Sequence, residues 1–157
     1  MEVQDVRVAI VNGVANDIPL TDIYLSLRDF VGKRGFYKIV LSLIEAGDMP
    51  NVMICYCGID CTHCKTFLAT INDDDTLREL VQGYYAEIGH AMELEEIHCL
   101  GCRSDEMLPG CADCPYMKCG KEVGLKRCDE CIVYPCESLN WYIENYVKPG
   151  VGKFIVP

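Results

Sequence analysis

Twelve cysteines fall between Cys55 and Cys136, and none occurs in the first 54 residues. Thiolates do two kinds of chemistry: they bind soft metal ions, and they act as nucleophiles or redox pairs. The spacing points to the first. Cys57-x3-Cys61-x2-Cys64 opens the series and Cys99-x2-Cys102 follows. Cys111-x2-Cys114-x4-Cys119 is then matched by Cys128-x2-Cys131-x4-Cys136. A C-x2-C turn brings two thiolates to one ion, and two such turns complete a tetrahedral site. Eleven cysteines lie in these ordered groups, with Cys55 as the odd one. Four ligands per ion implies two or three sites.

Soft thiolates select zinc, copper(I) or iron–sulfur clusters over magnesium or calcium. Knuckle-like C-x2-C pairs separated by loops are typical of structural zinc, so zinc is the first expectation. One pairing puts Cys57, Cys61 and Cys64 in a single site, with Cys136 or Cys119 as fourth ligand. Cys99 and Cys102 then share a second site with one of the later pairs. Linear spacing does not fix which pairs converge. An internal repeat stands out: Cys111, Cys114 and Cys119 recur 17 residues later as Cys128, Cys131 and Cys136. Two equivalent knuckles, each offering three thiolates, follow from it.

An iron–sulfur protein is the alternative. Cys57-x3-Cys61-x2-Cys64 has the spacing of the cluster motif in radical S-adenosylmethionine enzymes, but those build a barrel of strands and helices that this chain is too short to form. The later cysteines do not follow the ferredoxin run. A third reading is a small zinc enzyme with an open coordination position, kept alive by the three-cysteine repeats. His63, His90 and His98 could complete a site or assist a thiolate; His63, inside the first cluster, is the best placed. Asp60 and Asp113 beside the thiolates read as turn stabilisers. No phosphate-binding glycine loop and no serine nucleophile elbow is present, so an enzyme is the weaker expectation.

The formal net charge is −10. Four-thiolate zinc sites would add roughly two negative charges each. Nucleic acid is therefore an unlikely partner, since phosphate contacts need a basic footprint. The local group Lys118, Lys121, Lys126 and Arg127 reads as a solvated loop. The acidic start, Met1 to Asp5, lacks the basic and apolar regions of a signal peptide. The run Ile39 to Ile44 is too short to span a bilayer. The expectation is a cytoplasmic protein whose thiols are held by metal rather than by disulfides, with a protein partner.

The elements that must position the thiols read as mainly α with few short strands. They form a small metal-stapled, cysteine-rich fold with an N-terminal helical and strand extension. Residues 1–50 are that extension and residues 51–157 the cysteine-rich part. Val6, Val8, Ile10 and Val11 suggest a strand ending at Asn12-Gly13. Thr21 can cap a helix carrying Ile23, Leu27, Phe30 and Val31 as far as Gly32. A second helix carries Phe36, Ile39, Val40, Leu43 and Ile44 to Gly47. In the cysteine-rich part, a helix starts near Cys64 with Phe67, Leu68 and Ile71 on one side. Asn72 to Asp75 breaks it and caps the next, which carries Leu77, Leu80, Val81, Tyr84, Tyr85 and Ile88 and ends at Gly89. From Cys99 to Cys136 there is little apolar periodicity, so metal must substitute for burial. A last helix after Pro135 aligns Leu139, Tyr142, Ile143, Tyr146 and Val147. Phe154-Ile155-Val156 reads as an edge strand. The aromatic stripes, Trp141 and Tyr146 included, read as core.

The cysteine part resembles the small cysteine-rich prokaryotic proteins grouped as a domain of unknown function and labelled zinc-binding. The resemblance rests on Tyr56-Cys57-Gly58-Ile59-Asp60-Cys61-Thr62-His63-Cys64, Ile97-His98-Cys99-Leu100-Gly101-Cys102, Cys111-Ala112-Asp113-Cys114, Cys119, Cys128-Asp129-Glu130-Cys131 and Tyr134-Pro135-Cys136-Glu137. It covers roughly residues 55 to 146. It implies that Cys57, Cys61, Cys64, Cys99, Cys102, Cys111, Cys114, Cys119, Cys128, Cys131 and Cys136 are metal ligands, and it implies no activity. Cys55 and the first 50 residues stand outside it.

Overall fold

A computed structural model describes residues 1–156. The protein is mainly helical, and among the described residues its β-structure is limited to isolated bridges. The chain divides into two compact units, Met1–Val52 and Met53–Pro157.

The first unit holds α1 (Val3–Ala15), α2 (Leu20–Leu27) and α3 (Lys33–Glu45). The segment read above as a strand at Val6 to Val11 is the middle of α1. Val6, Ile10 and Gly13 are its buried residues, at helical spacing, while Val8 is exposed. The alternation of Val6, Val8 and Ile10 fits period two only until Gly13 is counted. A capping box at Glu2 and Asp5 starts the helix. Gly13 lies against Ile23: a Cβ there would sit 2.6 Å from Ile23 Cδ1. A side chain at Gly13 would force Ile23 to shift. α2 is flanked by Pro19 rather than capped by Thr21, and it stops at Leu27, leaving Phe30 exposed. α3 buries Phe36, Tyr37, Val40 and Leu43 along one face. Arg7 ties α1 to α3 by donating to Ser42 Oγ at 2.9 Å.

The second unit opens with a bridge between Ile54 and Asp60. A 3-10 turn at Cys61–His63 leads into α4 (Lys65–Asn72), which buries Thr66, Phe67, Ala69, Thr70 and Ile71. Asp73 closes α4 in the left-handed region, and Asp74 caps α5 (Asp75–Glu87) by accepting from Leu77 N–H at 3.0 Å. Of the six apolar residues expected to share one face of α5, Val81 alone is buried; Leu80 and Ile88 are exposed.

The Cys99–Cys136 stretch is more regular than its composition suggests, because it contains α6 (Pro115–Val123). Pro115 at the first helical position and Gly124 as a left-handed stop delimit it. α7 (Glu137–Tyr142) continues through a π-helical segment, Ile143–Val147, to a last turn at Lys148–Gly150. The tail forms bridges rather than a strand: Lys65 N–H donates to Phe154 O and Val156 N–H to His63 O, both at 2.8 Å. Phe154 packs on Tyr85 with ring centroids 4.7 Å apart. Trp141 and Tyr146 are not core: they contact each other at 5.5 Å and are 57% and 44% exposed. No described helix is long and apolar enough to cross a membrane.

Candidate metal centre

The first group of thiols is built on a tight turn. Cys55 N–H donates to Ile59 O at 2.8 Å, and Gly58 N–H to Cys55 O at 2.9 Å. Gly58 sits at φ +97°, where a side chain would be strained. Cys61 N–H then reaches back to Met53 O at 2.9 Å. These bonds fold Cys55, Cys57 and Cys61 over one another. Cys102 joins them from a loop whose own turn holds Gly101 at φ +98°.

Cys55 is the hub. Its sulfur lies 3.2 Å from Cys61 Sγ, and it also hydrogen-bonds with Cys102 and Cys57. Those bonds, led by the one with Cys102, and then burial, push the Cys55 thiol far above its usual range. Cys57 moves the other way, chiefly because Cys55 donates to it, with Ile59 N–H assisting against burial. Cys102 is lowered to about 6, first by Cys55, with help from Tyr56 N–H and the Arg103 charge. A protonated Cys55 therefore supports thiolate neighbours.

A second neighbourhood lies around α4. Cys64 is its N-cap residue, and the Phe67 and Thr66 amides point at its sulfur; burial outweighs them and raises its pKa. Cys99 accepts Gly101 N–H at 3.3 Å and is pushed up to about 12 by burial, with the charges of Cys61 and Cys64 adding. Cys111 is raised to about 11, again by burial and then by Cys114, Cys102 and Cys64. Burial and the charges of Cys64, Cys111 and Cys99 all raise the Tyr85 phenol, which marks where these thiols approach one another.

The remaining thiols mix the two sequence repeats. Burial raises Cys128 to about 11, and the thiols acting on it are Cys57, Cys136, Cys119 and Cys114. Cys128 N–H also donates to Tyr56 O at 2.8 Å. The repeat itself is exact in its turns only. Cys114 N–H bonds Cys111 O at 3.1 Å and Cys131 N–H bonds Cys128 O at 3.0 Å, as Cys64 N–H bonds Cys61 O at 3.1 Å. Beyond the turns the copies diverge: Cys119 lies inside α6, whereas Cys136 precedes α7 as its N-cap residue. Pro115 starts a helix directly after Cys114, while the β-branched Ile132 and Val133 follow Cys131.

Two of the three histidines, His63 and His98, face carboxylates. His98 Nε2 lies 3.0 Å from Glu106 Oε1, and the exposed His63 lies 3.7 Å from Asp60. Asp60 stabilises its turn by accepting from Thr62 N–H and Oγ1 at 3.0 and 2.7 Å. Of the basic group read above as a loop, Lys118 and Lys121 lie in α6; Lys118 pairs with Asp113 and Arg127 with Asp129.

Among the described residues, no group of three or more His, Cys, Asp or Glu side chains is arranged to hold a metal ion. The donor chemistry nevertheless fits a thiophilic one. Backbone amides point at the sulfurs of Cys57, Cys64, Cys99 and Cys102, which favours their thiolate form. In the first group the close sulfur contacts run through Cys55. Cys55 is the residue that spacing missed. Its one available signal was a position two residues before Cys57, on the rim of a glycine turn.

Thr70 positions one of these thiols. Its buried hydroxyl accepts Cys99 N–H at 2.9 Å and donates to Thr66 O at 2.7 Å. Thr70→Val keeps the shape and strands that amide, so it is expected to cost about 1–3 kcal/mol in urea denaturation. Unchanged stability would mean that the Cys99 amide finds another acceptor.

These features define a mainly helical, cysteine-rich module, several of whose thiols sit in short turns at helix starts. The chain belongs to the family described as "Protein of unknown function (DUF3795)", which matches residues 53–141. Comparison with curated proteins and with solved structures gives no match.

Proposed function

We propose that this protein is a thiolate metal-binding module that holds two or three zinc ions structurally and presents a surface to a protein partner. The observation that carries the reading is the poverty of apolar burial where the thiols are densest. Between His98 and Cys136 the buried apolar side chains are Leu100 and Met117, in a stretch with eight of the twelve cysteines. Such a stretch needs another source of cohesion, and soft thiolates supply it by binding zinc. A reducing cytoplasm would keep the thiols available. The partner reading is supported by the loop after Cys131, where Ile132, Val133 and Tyr134 are all exposed.

Elemental analysis and an absorbance spectrum of untagged protein, purified without oxygen, test the reading. Two or three zinc per chain without visible absorbance is the expected result. Iron with acid-labile sulfide would replace it with an iron–sulfur redox protein. A chain free of tightly bound metal that also takes up none would sink both.

A further inference from the structure

Cys55 lies outside the spacing that nominates the other eleven cysteines, yet it touches more thiols than a stray cysteine would. It is 3.2 Å from Cys61 and in hydrogen-bond contact with Cys57 and Cys102. Cys64, which spacing would place in this group, is instead held at the start of α4 by the helix's own amides. Cys61 is the thiol that acts on Cys64, and Cys64 in turn acts on Cys99 and Cys111. We propose that Cys55 is a metal ligand, forming with Cys57, Cys61 and Cys102 a four-thiolate site for one zinc-type ion. The proposal rests on the metal-binding reading above and names one of its ligand sets.

Three observations favour it. The first is reach: a tetrahedron with bonds of about 2.3 Å has edges of about 3.8 Å, so Cys55 and Cys61 need to separate by only about 0.6 Å. The backbone is already set, since Cys55 is bonded through both its N–H and its carbonyl. The second is charge. Four thiolates around a divalent ion leave two negative charges, and Arg103 stands beside them. Its guanidinium lies 4.4 Å from the Tyr56 ring centroid and donates to Ile54 O at 3.1 Å. The third is number. Twelve thiols supply three four-thiolate ions, whereas eleven leave one ion a ligand short. Binding releases the thiol protons to solvent and involves no change of oxidation state.

The test uses the full chain, reduced and free of oxygen, with zinc and cobalt(II) as probes. The wild-type chain and Cys55→Ser are loaded, and metal per chain, competition with a chromophoric chelator and cobalt–thiolate absorbance are measured. Cys55→Ser is expected to lose one ion, or to hold it at least about tenfold more weakly, with reduced charge-transfer intensity. In the wild-type chain, loading is expected to protect Cys55 from N-ethylmaleimide together with Cys57, Cys61 and Cys102, read by peptide mass spectrometry. Equal metal content and affinity in a folded Cys55→Ser overturns the proposal and leaves the metal-binding reading standing. If the variant does not fold, the wild-type alkylation decides: a Cys55 rate that loading does not change overturns it. A wild-type chain that takes up no metal overturns the underlying reading as well.

Discussion

Stripping the loaded protein with a strong chelator is expected to melt residues 98–136 while α4 and α5 stay folded. Two buried side chains, Leu100 and Met117, contribute about 1.5–3 kcal/mol each. Ordering the backbone costs about 1–2 kcal/mol per residue, so these two cannot hold the stretch. A structural zinc site contributes on the order of 10–16 kcal/mol, more than the two side chains together supply. The helix pair is different: Phe67, Ala69, Ile71, Val81 and Ile97 are all buried around it. Hydrogen exchange separates the two outcomes. The amides of α6, such as Lys118 N–H on Cys114 O at 3.1 Å, should lose protection by orders of magnitude. Those of α4 should change by less than about tenfold. Persistent protection in α6 after chelation would show that packing suffices, and metal would lose its structural role.

Phe67→Ala is expected to destabilise the cysteine-rich unit by about 3–5 kcal/mol, measured by denaturant unfolding. Phe67 is 1% exposed and is among the largest fully buried side chains. It also anchors the first turn of α4, whose Thr66 and Phe67 amides point at Cys64. Truncation leaves those amides in the chain but loosens the packing that aims them. Cys64 should therefore alkylate faster in the metal-free variant than in the metal-free parent. A cost below about 1 kcal/mol would show that other contacts fix this turn.

Sequence periodicity was a good guide where apolar residues recur over several turns. α3 and α4 bury the faces their patterns mark, Phe36, Val40 and Leu43 in one and Phe67 and Ile71 in the other. It failed at α1, because Val6, Val8 and Ile10 satisfy both periods and the β-branched residues tilt the reading toward a strand. At α5 and after Pro135 it placed helices correctly, yet Leu80, Ile88 and Tyr146 stay exposed while Val81 and Leu139 are buried; spacing fixes a face but not what covers it. α6 was hidden because its helix signals are terminal, Pro115 and Gly124, with Met117 its one buried large apolar residue. The thiols show the same limit. Three of the four C-x2-C spacings form matching turns, each a local hydrogen-bonded unit, and the Cys99–Cys102 pair does not share the pattern. Which turns meet depends on loops such as the one that carries Cys102 to Cys55, and loop paths leave no periodic trace.

The sole tryptophan, Trp141, sits half-exposed against Tyr146 in the cysteine-rich unit, and the first unit has tyrosines but no indole. Fluorescence excited at the red edge, where tyrosine hardly absorbs, therefore originates wholly from one of the two units. Far-ultraviolet circular dichroism sums the helices of both. A melt followed by the two signals together carries its own internal comparison: coincident transitions mean that the units unfold as one, and separated transitions assign a midpoint to each without cutting the chain.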